Sequence, residues 1–501
     1  MKHTIIIILI GLLFGSCNHW LNLAPENERL SEEYWTSKED VGNTMMSCYS
    51  RLRECQELML QWGEMRADVV VLTGKEGENL TKMNKQNLTS ENDLVKWNKF
   101  YRVINAANAI IQYAPGVLEK DPLFTEEECD QYLAEAKTVR SLVYFYLVRT
   151  FRDVPLITDA YLIDVQELKQ PKTPENEIID RIILDLQWSL KRLYVGYSAK
   201  WENKCRATRW AAQTLLADIY LWSERYKECI DACQLLMNSE RFRLIGKLDE
   251  EEEEEDETKR EKWFDIFYPG LSDESIWELY YDHENNQQNN LFNRFKDGGY
   301  YKLIQKVADE FEADENAGDV RGLNNTYTKD HLIWKYLGTT NDGSGMRGNA
   351  NLSANWIFYR YAEVFLIYAE ACVMYENTET YRLEAMKAIN VVRSRAETTQ
   401  LKEDDVLTMS ERDLLLLILN ERKKEFVAEG KRWYDLVRIA KKNNYTTYKQ
   451  TVIDILLENV PMAEKAIYQT KLSNPYSLYL PIYKNEIDMG KGVLVQNPAY
   501  Q

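Results

Sequence analysis

Apolar positions recur at helical spacing through most of this chain after residue 34. In AEAKTVRSLVYFYLVRTF, residues 134–151, Val139, Leu142, Val143, Tyr146 and Leu147 fall on one stripe, and Asp153-Val154-Pro155 ends the run. Residues 95–111 repeat the habit with Trp97, Tyr101, Ile104, Ala107 and Ile111. In residues 207–237, Leu216, Ala217 and Tyr220 precede a short turn, and Tyr226, Cys229, Cys233 and Leu236 follow it. That spacing is close to a tetratricopeptide helix pair. A helix at 359–375 leads into another at 383–396. The repeat-like helices, within 34–237 and 359–396, are few and widely separated, so the pattern predicts a mainly α domain rather than a clean solenoid.

Between these helices the pattern changes. Residues 249–257, DEEEEEEDE, form an acidic run that reads as a solvated loop, since a calcium loop needs alternating ligands and a turn. ESIWELYYD, 274–282, alternates as a short strand does, and 285–290 and 338–355 are Asn/Gly-rich loops. Inserts at about 62–92 and 240–358 are therefore expected to form the ligand side of a single domain spanning 17–501.

The N-terminus, MKHTIIIILIGLLFGSC, has Lys2, an apolar run from Ile5 to Phe14, small residues Gly15 and Ser16, and then Cys17. The run is too short for a stable bilayer span and has the layout of a secretory signal over 1–16. Its end resembles a bacterial lipobox, which implies lipid attachment at Cys17 and an anchor made by acyl chains. Formal net charge is −18 and no basic patch stands out, so a nucleic-acid partner is not expected. The spacing of the 8 cysteines does not suggest a disulfide framework. Cys229 and Cys233 could share a helical face, but the histidines lie far from them and a helix pair explains both, so no metal is expected.

NERKKEFVAEGKRWYDLVRI, 420–439, mixes a dense set of charges with apolar anchors. Taken as one helix, Glu421, Glu425 and Arg432 share a stripe, with Arg422, Phe426 and Trp433 beside it. Two glutamates at i,i+4 repel, so basic partners from other elements are expected. A catalytic carboxylate pair would face an open pocket about 5–10 Å apart. Glu421, Arg422, Glu425, Glu429, Arg432, Asp435 and Arg438 are therefore read as a structural charge network, with no catalytic residues assigned.

Over nearly its whole length the chain resembles the SusD/RagB family of surface lipoproteins. Cys17, Leu23, Pro25, Tyr34 and Trp35 carry the opening, followed by the Trp97–Asn108 helix and by 135–157, 360–371 and 389–396. Glu421-Arg422, Glu425, Glu429-Gly430, Arg432-Trp433 and Asp435-Leu436 are the most specific segment, and Pro481-Ile482, Glu486 and Gln496-Asn497-Pro498 carry the end. Tyr483 and Ala499 depart from the family's usual Pro and Gly. The resemblance implies a SusD-like α-helical fold and a non-enzymatic lipoprotein on the outer face of the outer membrane. It implies capture of oligosaccharides, or of peptides in some members, for a SusC-like TonB-dependent transporter. No cofactor is implied, and no Walker A or G-x-G-x-x-G segment occurs.

The family's ligand residues vary in position, so candidates come from this chain alone. The 13 Trp and 32 Tyr offer faces for sugar rings, but those at helical spacing belong to the core. The better candidates lie in non-periodic polar stretches: Trp62 and Arg66 after the first helix, Asn79, then Asn289, Phe292 and Tyr300, and Arg347. A secreted helical glycosidase and a protein-binding tetratricopeptide scaffold are the alternatives.

Overall fold

The first long helix, α1, runs Lys38–Glu64 and starts from a capping box in which Ser37 and Asp40 satisfy each other's backbone donors. We describe residues 34–161, 170–246, 263–282, 284–285, 287–295, 299–313, 319–337, 353–490 and 492–501 of a computed structural model. Cys17 with its signal, the 249–257 acidic run and Arg347 lie outside them.

α1 packs against α2 (Asn98–Val117), α2 against α3 (Glu126–Phe151), and α3 against α4 (Glu175–Ser189). α3 also opens with a capping box, Thr125 with Glu128, and is closed by Arg152 at φ +68°. The predicted helix pair is present as α5 (Arg209–Trp222) and α6 (Tyr226–Met237), joined at Ser223–Arg225 with Glu224 at φ +59°. Cys229 and Cys233 face the core there, and burial pushes the Cys229 thiol well up. A second pair, α7 (Tyr361–Tyr375) and α8 (Glu379–Arg395), lays α7 against α6. The fold is mainly α.

Two small antiparallel sheets fasten the inserts to this frame. β1 (Val70–Leu72) pairs with β3 (Tyr301–Leu303), with Val71 opposite Lys302. β2 (Ser275–Leu279) pairs with β4 (Trp356–Arg360), so the strand expected at 274–282 is built and runs beside the start of α7. The buried apolar side chains form one continuous cluster from Trp35 to Leu494.

Residues 420–439 are not one helix. α9 (Glu411–Phe426) ends, the chain turns with Ala428 at φ +63° and Gly430 at φ +69°, and α10 begins at Arg432 within Arg432–Tyr445. The turn beds on the last turn of α1: a Cβ at Gly63 would stand 1.8 Å from the Gly430 carbonyl oxygen. Only glycine at 63 permits that approach.

Candidate functional site

One face of α1 is polar. Ser50, Arg53, Glu54, Glu57 and Gln61 recur every three or four residues, while Leu52, Cys55 and Met59 point into the core. This stripe floors a cleft of about 1100 Å³. Leu94, Lys96 and Lys99 form one wall, and Tyr281, Gln287, Gln288 and Asn290 form the other.

Two glutamines mark the floor. Gln56 and Gln61 are 3% and 4% exposed. Gln56 Oε1 accepts from the Tyr281 hydroxyl at 2.5 Å, yet its Nε2 has no hydrogen-bond partner. Gln61 Nε2 donates to Glu57 at 3.3 Å, yet its Oε1 has no partner. The unpaired donor and the unpaired acceptor lie beneath the cleft surface, closed to solvent. The cleft carboxylates, by contrast, are engaged: Glu54 by Arg102 at 2.7 Å, Glu57 by Arg294 at 3.2 Å, Asp93 by Lys96 at 2.6 Å.

The predicted ligand residues mostly stand one layer behind this surface. Trp62 lies inside α1 rather than after it; it is 1% exposed, stacks on Phe100 at 4.5 Å and donates to the Leu94 carbonyl behind the cleft wall. Asn289 and Phe292 are buried too: Asn289 donates to the Ala354 carbonyl and caps the turn that presents Asn290 and Leu291, while Phe292 stacks on Tyr336 at 4.5 Å. A side chain sealed this way offers no face to a ligand, so these three are corrected from contacts to supports. Arg66 is sealed elsewhere, donating to Gln86, Ser477 and Leu478 and lying 4.1 Å from the Trp433 ring. Asn79 and Tyr300 are half-buried beside the cleft; Asn79 donates to Asp93, and Tyr300 lies under the Arg294 that pairs with Glu57. No lining residue comes from the expected 62–92 insert, whereas 281–291 belongs to the second insert. The α1 stripe was the missed signal.

The charges of 420–439 lie away from that cleft, in the interior. Arg360 contacts Glu274 at 2.7 Å, Glu425 at 2.5 Å and Glu429 at 2.8 Å. Arg321 joins Glu421 and Glu425, Lys335 joins Glu429, and Arg395 also reaches Glu425. Arg422 bridges Glu363 and Asp435, and Arg438 bridges Glu370 and Asp435. Arg432 holds Asp68, four residues past the end of α1, through two parallel bonds of 2.7 and 2.9 Å. Burial alone would raise these carboxyls, but the surrounding guanidinia win: Glu425 is held well below the usual carboxylate range and Asp435 falls to about 2. Glu64 is the exception, where burial pushes the carboxyl up to about 8 although it accepts from the Ala428 N–H.

Comparison with known proteins places these features. Residues 250–500 match the model described as SusD family, and residues 19–221 match one described as starch-binding associating with outer membrane. The chain is 27% identical to SusD-like protein P38 of Formosa agariphila, covering 87% of this chain and 90% of that one. A SusD-like protein of Bacteroides ovatus is 23% identical, with 87% and 82% covered. A solved SusD superfamily protein from Bacteroides thetaiotaomicron has a TM-score of 0.72 at 20% identity, with 93% and 99% covered. Surface glycan-binding protein A from Bacteroides uniformis has a TM-score of 0.70 at 22% identity, with 93% and 100% covered.

Proposed function

Because this chain belongs to the SusD family, we propose that it captures oligosaccharides in the α1 cleft and passes them on without cleaving them. The observation that carries this reading is a cleft of about 1100 Å³ whose lining is rich in amides, Gln56, Gln61 and Gln287 among them. Hydroxyls both donate and accept, so a saccharide can bond to amides of either sense. Asn290 and Gln288, exposed on the lip, add further amides. An aromatic face lies near: Trp201, 39% exposed, packs on Tyr280 at 5.5 Å, and the Tyr280 carbonyl accepts from Arg53. Among the described lining residues, the carboxylates Glu54, Glu57 and Asp93 are each paired with a cation, which supports binding over hydrolysis.

We extend the proposal to a wider role, which family membership and the sequence support. The protein is held in the outer membrane by lipid on Cys17, faces the cell exterior, and works with a SusC-like TonB-dependent transporter. An oligopeptide ligand is the alternative within the family. A glycan array probed with the lipid-free protein, alongside a reducing-end assay on each bound glycan, tests the proposal. Capture with no release of reducing ends is expected; release, or capture of peptides alone, contradicts it.

A further inference from the structure

We infer, resting on the saccharide reading above, that the captured glycan is acidic, and that Arg53 and Lys99 recognise its carboxylate or sulfate groups. The argument is one of pairing. Every carboxylate named at the cleft meets a cation, Glu54 with Arg102, Glu57 with Arg294 and Asp93 with Lys96. Arg53 and Lys99 meet no carboxylate among the described residues. Arg53 donates only to the Tyr280 carbonyl, at 3.4 Å, and Lys99 only to the Glu54 carbonyl, at 3.1 Å. Both line the same cleft, and both approach Glu54, one as its chain neighbour and one through its carbonyl.

Among the described residues the half-buried Arg51 and Arg209 also meet no carboxylate, but neither lines the cleft, and the fully buried guanidinia of the interior are paired. Arg360, Arg422, Arg432 and Arg438 meet carboxylates, and Arg66 places three nitrogens on acceptors. Arg53 keeps most of its five donors unpaired in a partly enclosed place. Burial lowers its pKa, so holding the charge there is unfavourable until an anion arrives. A planar carboxylate or a sulfate meets the guanidinium fork in two parallel bonds, and the ammonium of Lys99 adds a second cation on the same wall. The net charge of −18 opposes a polyanion at a distance, but screening beyond roughly 8 Å at physiological salt leaves the local pair to decide. The exposed amides of Gln288 and Asn290 would then take hydroxyls of the same sugar unit or of its neighbour.

Titration calorimetry of the lipid-free chain decides the matter, using oligogalacturonate, its carboxyl-reduced form, dextran sulfate oligomers and plain dextran oligomers at low and high salt. Binding of at least one acidic probe roughly ten-fold or more tighter than its uncharged counterpart is expected, with the advantage lost at high salt. The two acidic probes separate carboxylate from sulfate. Arg53→Gln with Lys99→Gln should abolish the same advantage; each side chain makes one backbone bond, so the melting temperature should move little. Uncharged oligomers binding as tightly as acidic ones overturns the inference and leaves the saccharide reading intact. Acidic binding unchanged in the double variant also overturns it, since the polyanion is then held elsewhere. A chain that binds no saccharide of either kind sinks both.

Discussion

Around Glu425, three arginines close on one carboxylate with no water-facing side, whereas on the cleft floor Gln56 and Gln61 keep polar atoms without partners. The two regions are physically joined. The 427–431 turn rests on Gly63, Arg432 grips Asp68, and Glu64 accepts from Ala428, so the ionic interior clamps the end of the helix whose polar stripe floors the cleft. A densely paired network holds its neighbours in one geometry, although Arg395 Nε and Arg422 Nη1 within it also lack partners, while an amide-lined cleft keeps room for a ligand. On the proposed reading, the network positions and the cleft receives.

Breaking the network should have the largest effect. Arg360→Met leaves Glu274, Glu425 and Glu429 buried together, and urea unfolding should register a loss of about 3–5 kcal/mol. Acid attacks the same region more gradually. Asp435 titrates at about 2 when folded and near 4 unfolded, so the unfolded chain binds more protons in that window. Its contribution of about 2 kcal/mol is present above roughly pH 4 and is lost as pH falls toward 2. Glu425, Glu429 and Asp68, also lowered, add to the loss, which a melting series against pH will read.

The joint between the regions comes next. Gly63→Ala sets a methyl against the Gly430 carbonyl and should cost roughly 1–3 kcal/mol; glycan affinity should fall with it if the clamp positions the cleft. Glu64 runs opposite to its neighbours. Its folded pKa of about 8 lies above the unfolded value, so its contribution is full below about pH 4.5 and fades as pH rises through 8. Glu64→Gln should flatten that slope in melts between about pH 4.5 and 8. The smallest stability change belongs to the cleft: Gln61→Ala should move stability by about 1 kcal/mol or less, yet weaken glycan binding several-fold in calorimetry.

The helices were legible because their periods are long and uninterrupted, as in 134–151 and the 207–237 pair. Residues 420–439 were not, since the chain breaks at Ala428 with positive φ, a conformation that alanine does not signal. Gly430 was the available hint. The candidate ligand residues and the cleft diverge for a different reason. Aromatic and amide residues in irregular stretches were preferred, but Trp62, Asn289 and Phe292 turn inward to build the walls. Arg53, Glu57 and Gln61 repeat at helical spacing and read as an ordinary solvated face. Only the return of 281–291 over α1, nearly 230 residues later, converts that face into a cleft. No local pattern encodes such a closure.

Hydrogen–deuterium exchange with and without a saturating oligosaccharide tests the division of labour most directly. Protection should rise in 50–61, 93–99 and 287–291, with α9 and α10 unchanged because they do not line the cleft. Protection confined to any other surface, with the α1 stripe exchanging as before, would contradict the assignment of the cleft.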